Sequence, residues 1–386
     1  MTQALSVLKP EPMDRRCVQL RAEVREFLQS EIDTGGFTPI CDSWLRGADR
    51  GFSRKLGARG WLGMTWPTQY GGQDRPQRER FVVIEELLAA GAPVAGHWVA
   101  ERQVGPSILK YGSQEMKQSL LAPIARGDSV FGACYSEPDV GSDLASVRTQ
   151  ARRVEGGWRI SGTKLWTSQG HQADHLIVLC RTSPSEGAKH RGLSMLIVTQ
   201  PAAGVSIRPI RLLTGEHHFN EIVFDEVFVP DGRVLGEPGE GWRVITGDLA
   251  FERSGPERFM STHPLLAEMI RRAAQGPADE RTRIVIGELL SRLWALRSMA
   301  MGVAALMQKG ESPNTEAAMV KDLGTRFEGD VAQAARSLFP VIPSLDSDDR
   351  FTNYVAQSVL HSPAYTLRGG ANEILRGIVA RGLGLR

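Results

Sequence analysis

CYSEPDVGSDLAS, from Cys134 to Ser146, is the most informative stretch of this chain. Its glycine and small polar residues would let backbone N–H groups approach the phosphates or the ring edge of a ligand. A second run, KLWTSQG from Lys164 to Gly170, sets an aromatic plane beside hydroxyls. Around these two lie short segments rich in β-branched and aromatic residues: GWRISG from Gly157, HLIVLCR from His175, LSMLIVTQ from Leu193 and NEIVFDEVFVP from Asn220. Turn signals such as Glu155-Gly156-Gly157 and the polar stretch Thr182 to Arg191 separate them. From about Val130 to Val234 the chain therefore reads as a compact antiparallel β domain.

The flanks are helical. RRCVQLRAEVREFLQSEI places Val18, Leu20, Val24, Phe27 and Leu28 near one face at helical spacing. A further helix is expected over Arg78 to Ala90, and LLAPIARGD ends another at Gly127, a glycine stop. After Gly241 long helices are expected at about 242–273, 279–308, 315–338 and 351–382, with Lys309-Gly310-Glu311-Ser312-Pro313 as a tight link. The fold class is α+β, mainly α, in three parts: a helical domain over 1–129, a β domain over 130–236 and a helical bundle over 237–386. No internal repeat or low-complexity region interrupts this order.

A chain of 386 residues can bury a substantial core, and 41% apolar with 23% charged residues is ordinary for a globular protein. A net charge of +2 makes no field that would favour nucleic acid or an anionic membrane. Cys17, Cys41, Cys134 and Cys180 form no CxxC pair and are too scattered for a disulfide scaffold or zinc site, which fits a reducing compartment. His217-His218 resembles a metal pair only superficially, since adjacent side chains diverge; loop histidines are expected and no metal. MTQALSVLKPEPMDRR lacks the apolar core of a signal peptide. The longest apolar candidate, Ala300 to Met307, falls far short of the roughly 20 residues that span a bilayer. A cytoplasmic protein is expected.

Together the two central segments resemble the acyl-CoA dehydrogenase family. Its members carry a (T/S)-E-P-x-x-G-S-D loop and, one hairpin later, a K-x-W-(I/T)-(T/S) strand. GWLGMTWPTQYGG (Gly60 to Gly72), FDEVFVPDGRVLGEPGEGW (Phe224 to Trp242) and ILRGIVARGLG (Ile374 to Gly384) are similar to family segments in the same order. The resemblance implies an N-terminal helical domain, a middle β domain and a C-terminal four-helix bundle, with FAD between the last two. It also implies the chemistry: base-catalysed removal of the α-proton of an acyl-CoA thioester, with hydride transfer from the β carbon to flavin N5, yielding the 2-enoyl-CoA.

The resemblance assigns residues by position. Tyr135 (through its backbone) and Ser136 meet the flavin ring, with a plain surface turn as the duller alternative. Gly141 and Ser142 fall near the pyrophosphate and the CoA arm. Trp166 covers the flavin and Ser168 bonds N5; an ordinary buried tryptophan is the alternative for Trp166. Many members carry the catalytic glutamate in a Y-E-G-T run before the last helix. Here that run is Leu367-Arg368-Gly369-Gly370-Ala371-Asn372, and Gly369 has no side chain to take a proton. A second group, including isovaleryl-type enzymes, carries the glutamate on the first bundle helix. GDLAFERSGPERF places Glu252 there as the base, and Arg253, which follows it, contacts substrate. A solvated helix glutamate is the alternative for Glu252. Glu373 is the reserve, with Ala371 and Asn372 beside it as cofactor contacts.

Two family features are degraded. The R-x-x-F-G motif that embraces a neighbouring subunit's FAD keeps only its arginine, in Arg281-Thr282-Arg283-Ile284. The Q-x-x-G-G motif is replaced by Arg336-Ser337-Leu338-Phe339-Pro340, without glycines for close backbone approach. This pattern resembles the bacterial subgroup acting on steroid side chains and other bulky acyl groups. That subgroup implies either a homo-oligomer or an α2β2 heterotetramer with a related chain, and an electron-transferring flavoprotein as acceptor. A same-fold flavin oxidase or monooxygenase, and a non-catalytic partner subunit, are the rival functions.

Overall fold

The computed structural model describes residues 8–247, 253–276 and 279–385. In chain order the helices are α1 Arg15–Asp33, α2 Ser43–Arg46, α3 Arg50–Ala58, α4 Gln77–Ala89, α5 Ala95–Val99, α6 Gly105–Tyr111 and α7 Gln114–Ala125. After the sheet come α8 Gly241–Gly247, α9 His263–Gln275, α10 Glu280–Gln308, α11 Asn314–Leu338, α12 Arg350–Tyr365 and α13 Asn372–Gly382. The strands are β1 Phe131–Cys134, β2 Gln150–Val154, β3 Gly157–Ser168, β4 His175–Arg181, β5 Leu193–Thr199, β6 Val205–Arg211, β7 His217–Pro230 and β8 Val234–Leu235. They fall into two compact units. One comprises Met1–Gly47, Pro76–Pro93 and Ala250–Arg386; the other comprises Ala48–Arg75 and Val94–Leu249.

The first unit is helical. Asp14 caps α1 by accepting from Cys17 N at 2.8 Å, satisfying an N–H the first turn cannot pair. The buried face of α1 is Cys17, Leu20, Val24, Phe27 and Leu28. Val18, expected on that face, is 61% exposed. At 100° per residue it points well away from Leu20, and Cys17 takes the place. Glu85 and Glu86 on α4 tie neighbouring helices together: Glu85 pairs with Arg21 at 2.6 Å and Arg297 at 2.5 Å, Glu86 with Arg25 at 2.7 Å. α11 is central to the bundle, packing against α9, α10, α12 and α13.

Two expected helices are broken. The segment expected at 242–273 leaves the helix at Ser254, because Gly255-Pro256 introduces a short 3₁₀ turn, Pro256–Arg258, before α9. The segment expected at 351–382 breaks between α12 and α13, where Gly369 and Gly370 take φ of +68° and +94°. By length and composition α10 is the single helix among the described residues that could cross a membrane, well beyond Ala300 to Met307; half of that stretch is buried in the fold.

The second unit is built on an eight-stranded sheet in the order β6-β7-β3-β2-β4-β5-β8, with β1 attached to β4. It is antiparallel except that β1 runs parallel to β4, Phe131 opposite His175, and β2 touches β4 in parallel at Gln150. β4 and β5 are apolar runs buried on both faces, which is why their sequences do not alternate. His217 and His218 open β7 instead of lying in a loop. α7 ends at Gly127, whose φ of +74° and close approach to the Ser53 backbone admit no side chain.

Candidate active site

β3 carries a bulge where the site begins. Lys164 pairs with Ile222 and Thr167 with Asn220, so Leu165 and Trp166 stand against Glu221 alone. Asn220 holds the bulge by donating Nδ2–H to Thr167 O at 3.0 Å. Trp166 takes φ of +62°, a left-handed backbone that is unfavourable for a bulky residue. Its indole is 53% exposed and meets the Phe219 ring edge-on at 5.8 Å. The ordinary alternative, a buried core tryptophan, is thus not what the sheet contains. Strain combined with exposure of a large apolar ring is characteristic of a ligand wall.

The loop after β1 is brought to that bulge. Leu165 N donates to Ser136 O at 2.9 Å, so Ser136 and Trp166 lie on adjoining segments. Glu137 and Val140 bond each other's backbones, turning the loop so that Gly141 and Ser142 are exposed. No atom lies within 4 Å of where a Gly141 Cβ would stand, which leaves its backbone open. Ser168 is half-buried, opposite Phe219 in the β3–β7 register. Cys134, where the loop starts, is inert packing: burial pushes its thiol up to about 12.

An ion pair that motif matching alone does not expose holds this arrangement. Lys164 is fully buried, and its Nζ donates to Glu137 Oε1 at 2.8 Å and to Tyr135 O at 2.9 Å. Glu137 also accepts from Arg148 N at 2.7 Å and Thr149 N at 2.8 Å. Burial raises the Glu137 pKa, but Lys164 and the two backbone N–H donors outweigh it and the net shift is downward. Burial lowers the Lys164 pKa against the opposing pull of Glu137. The carboxylate is the firmly ionised partner. One lysine therefore ties the loop's glutamate and the Tyr135 carbonyl to the strand that bears Trp166.

The other candidates lie in the helical unit. Arg281 is exposed in the first turn of α10, and Glu373 is exposed in the first turn of α13. Ala371 is half-buried, whereas the Asn372 side chain is taken up inside the bundle. Lys321 Nζ donates to Asn372 Oδ1 at 2.6 Å and to Gly370 O and Thr366 O at 2.7 and 3.1 Å, fixing the loop ahead of α13. Burial, and then the charges of Arg258 and Arg368, push Lys321 down to about 7.

Glu252 lies outside the described residues. Arg253 is buried, and its Nη2 is 3.4 Å from where a Cβ on Gly370 would stand. Arg258 is the residue that sequence inspection missed. Its guanidinium is 2.8 Å from where a Gly369 Cβ would be, so it fills the space a side chain at 369 would need. It also lies over Trp44 at 5.2 Å. Its only sequence signal is its place after Gly255-Pro256.

His217 stacks on His171 at 4.1 Å and bonds Asn220 Oδ1 at 2.8 Å. Among the described residues no group of three or more His, Cys, Asp or Glu could hold a metal ion.

A bulged aromatic strand locked to a small-residue loop, with helices on both sides in sequence, defines the chain's class: it belongs to the acyl-CoA dehydrogenase family of oxidoreductases. The family's N-terminal, middle and C-terminal domains match residues 16–128, 132–227 and 239–384. Among its relatives is acyl-CoA dehydrogenase IpdE1 of Mycolicibacterium smegmatis, 33% identical over 395 aligned residues, covering 95% of this chain and 97% of that one. The solved Tcur3481-Tcur3483 steroid ACAD superposes with a TM-score of 0.85 at 30% identity, covering 97% of this chain and 98% of its own. The ChsE4-ChsE5 complex from Mycobacterium tuberculosis superposes with a TM-score of 0.83 at 28% identity, covering 97% and 99%.

Proposed function

We propose that this enzyme oxidises the α–β bond of an acyl-CoA thioester to the 2-enoyl-CoA, with FAD as its cofactor. Trp166 carries the proposal: a half-exposed indole in a left-handed backbone, beside a loop fastened by a buried lysine. These residues fit a flavin. The indole offers a flat face, Ser136 and Ser168 offer hydroxyls, and the open Gly141–Ser142 backbone suits a phosphate-bearing chain. Tyr135 supports that loop through its carbonyl; Arg281, Ala371 and Glu373 are further cofactor contacts in this proposal, whereas the Asn372 side chain is spent on Lys321 and Thr325 inside the bundle. FAD, when bound, supplies the acceptor for the β-hydride.

The protein's part is proton removal and alignment. Glu252 takes the α-proton, and Arg253 orients the substrate. A carboxylate in a dry site is a better base because burial disfavours its charged form. Gly369 carries no competing base, and Arg258 occupies the space there. An electron-transferring flavoprotein receives the electrons. The chain assembles either with copies of itself or with a related chain as α2β2, and works in the cytoplasm. The test is reduction of bound flavin by acyl-CoA thioesters. Glu252→Gln is expected to retain flavin absorbance and lose reduction by at least about a hundredfold, the scale of a general base; unimpaired reduction removes Glu252 from the mechanism.

A further inference from the structure

β7 has an irregularity of its own, a few residues from the one that faces Trp166. Ile210 pairs with Phe219 and Arg211 with His217, so His218 is an extra residue on β7. The parity matters. In a regular strand residues 217 and 220 would point to opposite faces of the sheet. The extra residue turns the half-buried His217 to the Asn220 side, where its Nε2 lies 2.8 Å from Asn220 Oδ1. Asn220 itself is fully buried. Gly170 lets the chain pass close to it: a Cβ there would stand 3.3 Å from Asn220 Nδ2.

The hydrogen bonds fix which atom faces which. Asn220 Nδ2 meets two carbonyls, Thr167 O at 3.0 Å and His218 O at 3.5 Å, to which only an N–H can donate. Oδ1 therefore faces the imidazole, and His217 Nε2 carries the hydrogen. That hydrogen is present in the neutral and the protonated ring alike. The exposed His171 stacks on His217 at 4.1 Å. Burial and the neighbouring His217 hold the His171 pKa below its ordinary 6.5, against an opposing pull from the Asn220 side chain.

Asn220 thus joins the two irregular places in the sheet. Through Thr167 O it grips the backbone between Trp166 and Ser168, on the bulge where β3 sets two residues against one. A bulky residue keeps a left-handed backbone only where its surroundings over-determine it, and Trp166 has φ of +62°. Phe219, next to Asn220 on β7, adds an edge-on contact to the indole at 5.8 Å.

We propose that His217 is a positioning residue of the flavin site: it holds the Asn220 amide, Asn220 holds the β3 bulge, and the bulge sets Trp166 against the flavin ring. Without the imidazole N–H, Oδ1 loses its donor in a fully buried place, and the amide that grips Thr167 O is no longer held from behind. The inference rests on the FAD-dependent function proposed above.

The experiment titrates flavin-free protein with FAD, with its partner chain if one co-purifies, and follows the quenching of FAD fluorescence. His217→Phe keeps a ring to stack on His171 and removes the donor. It is expected to weaken FAD binding roughly tenfold, the scale of one buried hydrogen bond. His217→Gln can bring an amide N–H to the position of Nε2, and should restore affinity to within about threefold of wild type. In a Trp166→Gly background His217→Phe should cost less than about threefold, because the ring it positions is gone; a histidine that serves the fold alone costs the same in both backgrounds. Melting curves of the flavin-free variants establish that each folds. Wild-type affinity in His217→Phe, no gain from glutamine, or an equal loss with and without Trp166 overturns the inference and leaves the FAD assignment standing. A wild-type protein that binds no FAD overturns that assignment, and this inference with it.

Discussion

Lys164→Met removes the ammonium that fastens the Tyr135–Ser142 loop to β3 while keeping a side chain of similar length. Lys164 is fully buried, and the Glu137 side chain is 6% exposed. The substitution leaves that carboxylate buried with the N–H groups of Arg148 and Thr149 as its remaining donors among the described residues, and removes the donor to Tyr135 O. Stripping one partner from a buried pair costs about 3–5 kcal/mol. At about 2–4 °C per kcal/mol for a unit of this size, the melting temperature should fall by roughly 6–20 °C. Glu137→Gln removes the opposite charge, and the double variant should lose about 1–3 kcal/mol less than the sum of the singles, because the partners are coupled. The sign of the pH dependence follows from Glu137, whose folded pKa lies below its ordinary 4.5. Its stabilisation is complete above about 4.5 and is lost as pH falls through the folded value, so Glu137→Gln should flatten the acid limb. Melting curves of wild type, both singles and the double, with flavin affinity followed by fluorescence, decide the matter. A Lys164→Met protein melting within about 2 °C of wild type with unchanged flavin affinity would refute the role of this pair.

Three further outcomes are expected. Trp166→Gly should relieve the left-handed strain and leave the apo-protein as stable or about 1 kcal/mol more stable, yet weaken flavin binding; equal flavin affinity in a fluorescence titration argues against Trp166 as the ring's wall. Gly369→Ala puts a Cβ at φ +68° and 2.8 Å from the Arg258 guanidinium, so a loss of about 1–2 kcal/mol is expected in chemical denaturation. Glu328 is fully buried against Ser261 N at 2.9 Å and Arg368 at 3.4 Å, and burial pushes it up to about 7 from 4.5. For an acid raised in this way the folded state holds the extra proton between those values, so stability falls as pH rises from about 4.5 to 7. Glu328→Gln should therefore be more favourable, relative to wild type, at pH 8 than at pH 4.5, by up to roughly 3 kcal/mol; a difference independent of pH counts against it.

Local order determined much of this protein. HLIVLCR coincides with β4, and the glycine stop at Gly127 ends α7 as expected, because apolar periodicity and a glycine's freedom at positive φ act over a few residues. The family-like order of CYSEPDVGSDLAS and KLWTSQG was equally visible, since a motif is a statement about neighbours along the chain. Tertiary structure decided the rest. Lys164 is a buried clamp only because Glu137 and the Tyr135 carbonyl meet it from the loop after β1, and Trp166 is exposed only because β7 offers one residue opposite two. The long helical patterns at 242–273 and 351–382 outran the chain's own breaks at Gly255-Pro256 and Gly369-Gly370, since periodicity extends across a kink that backbone geometry forbids. That Arg258 occupies the space beside Gly369 has no sequence signature, because a residue's contacts across a bundle depend on how helices pack and not on spacing within any one of them.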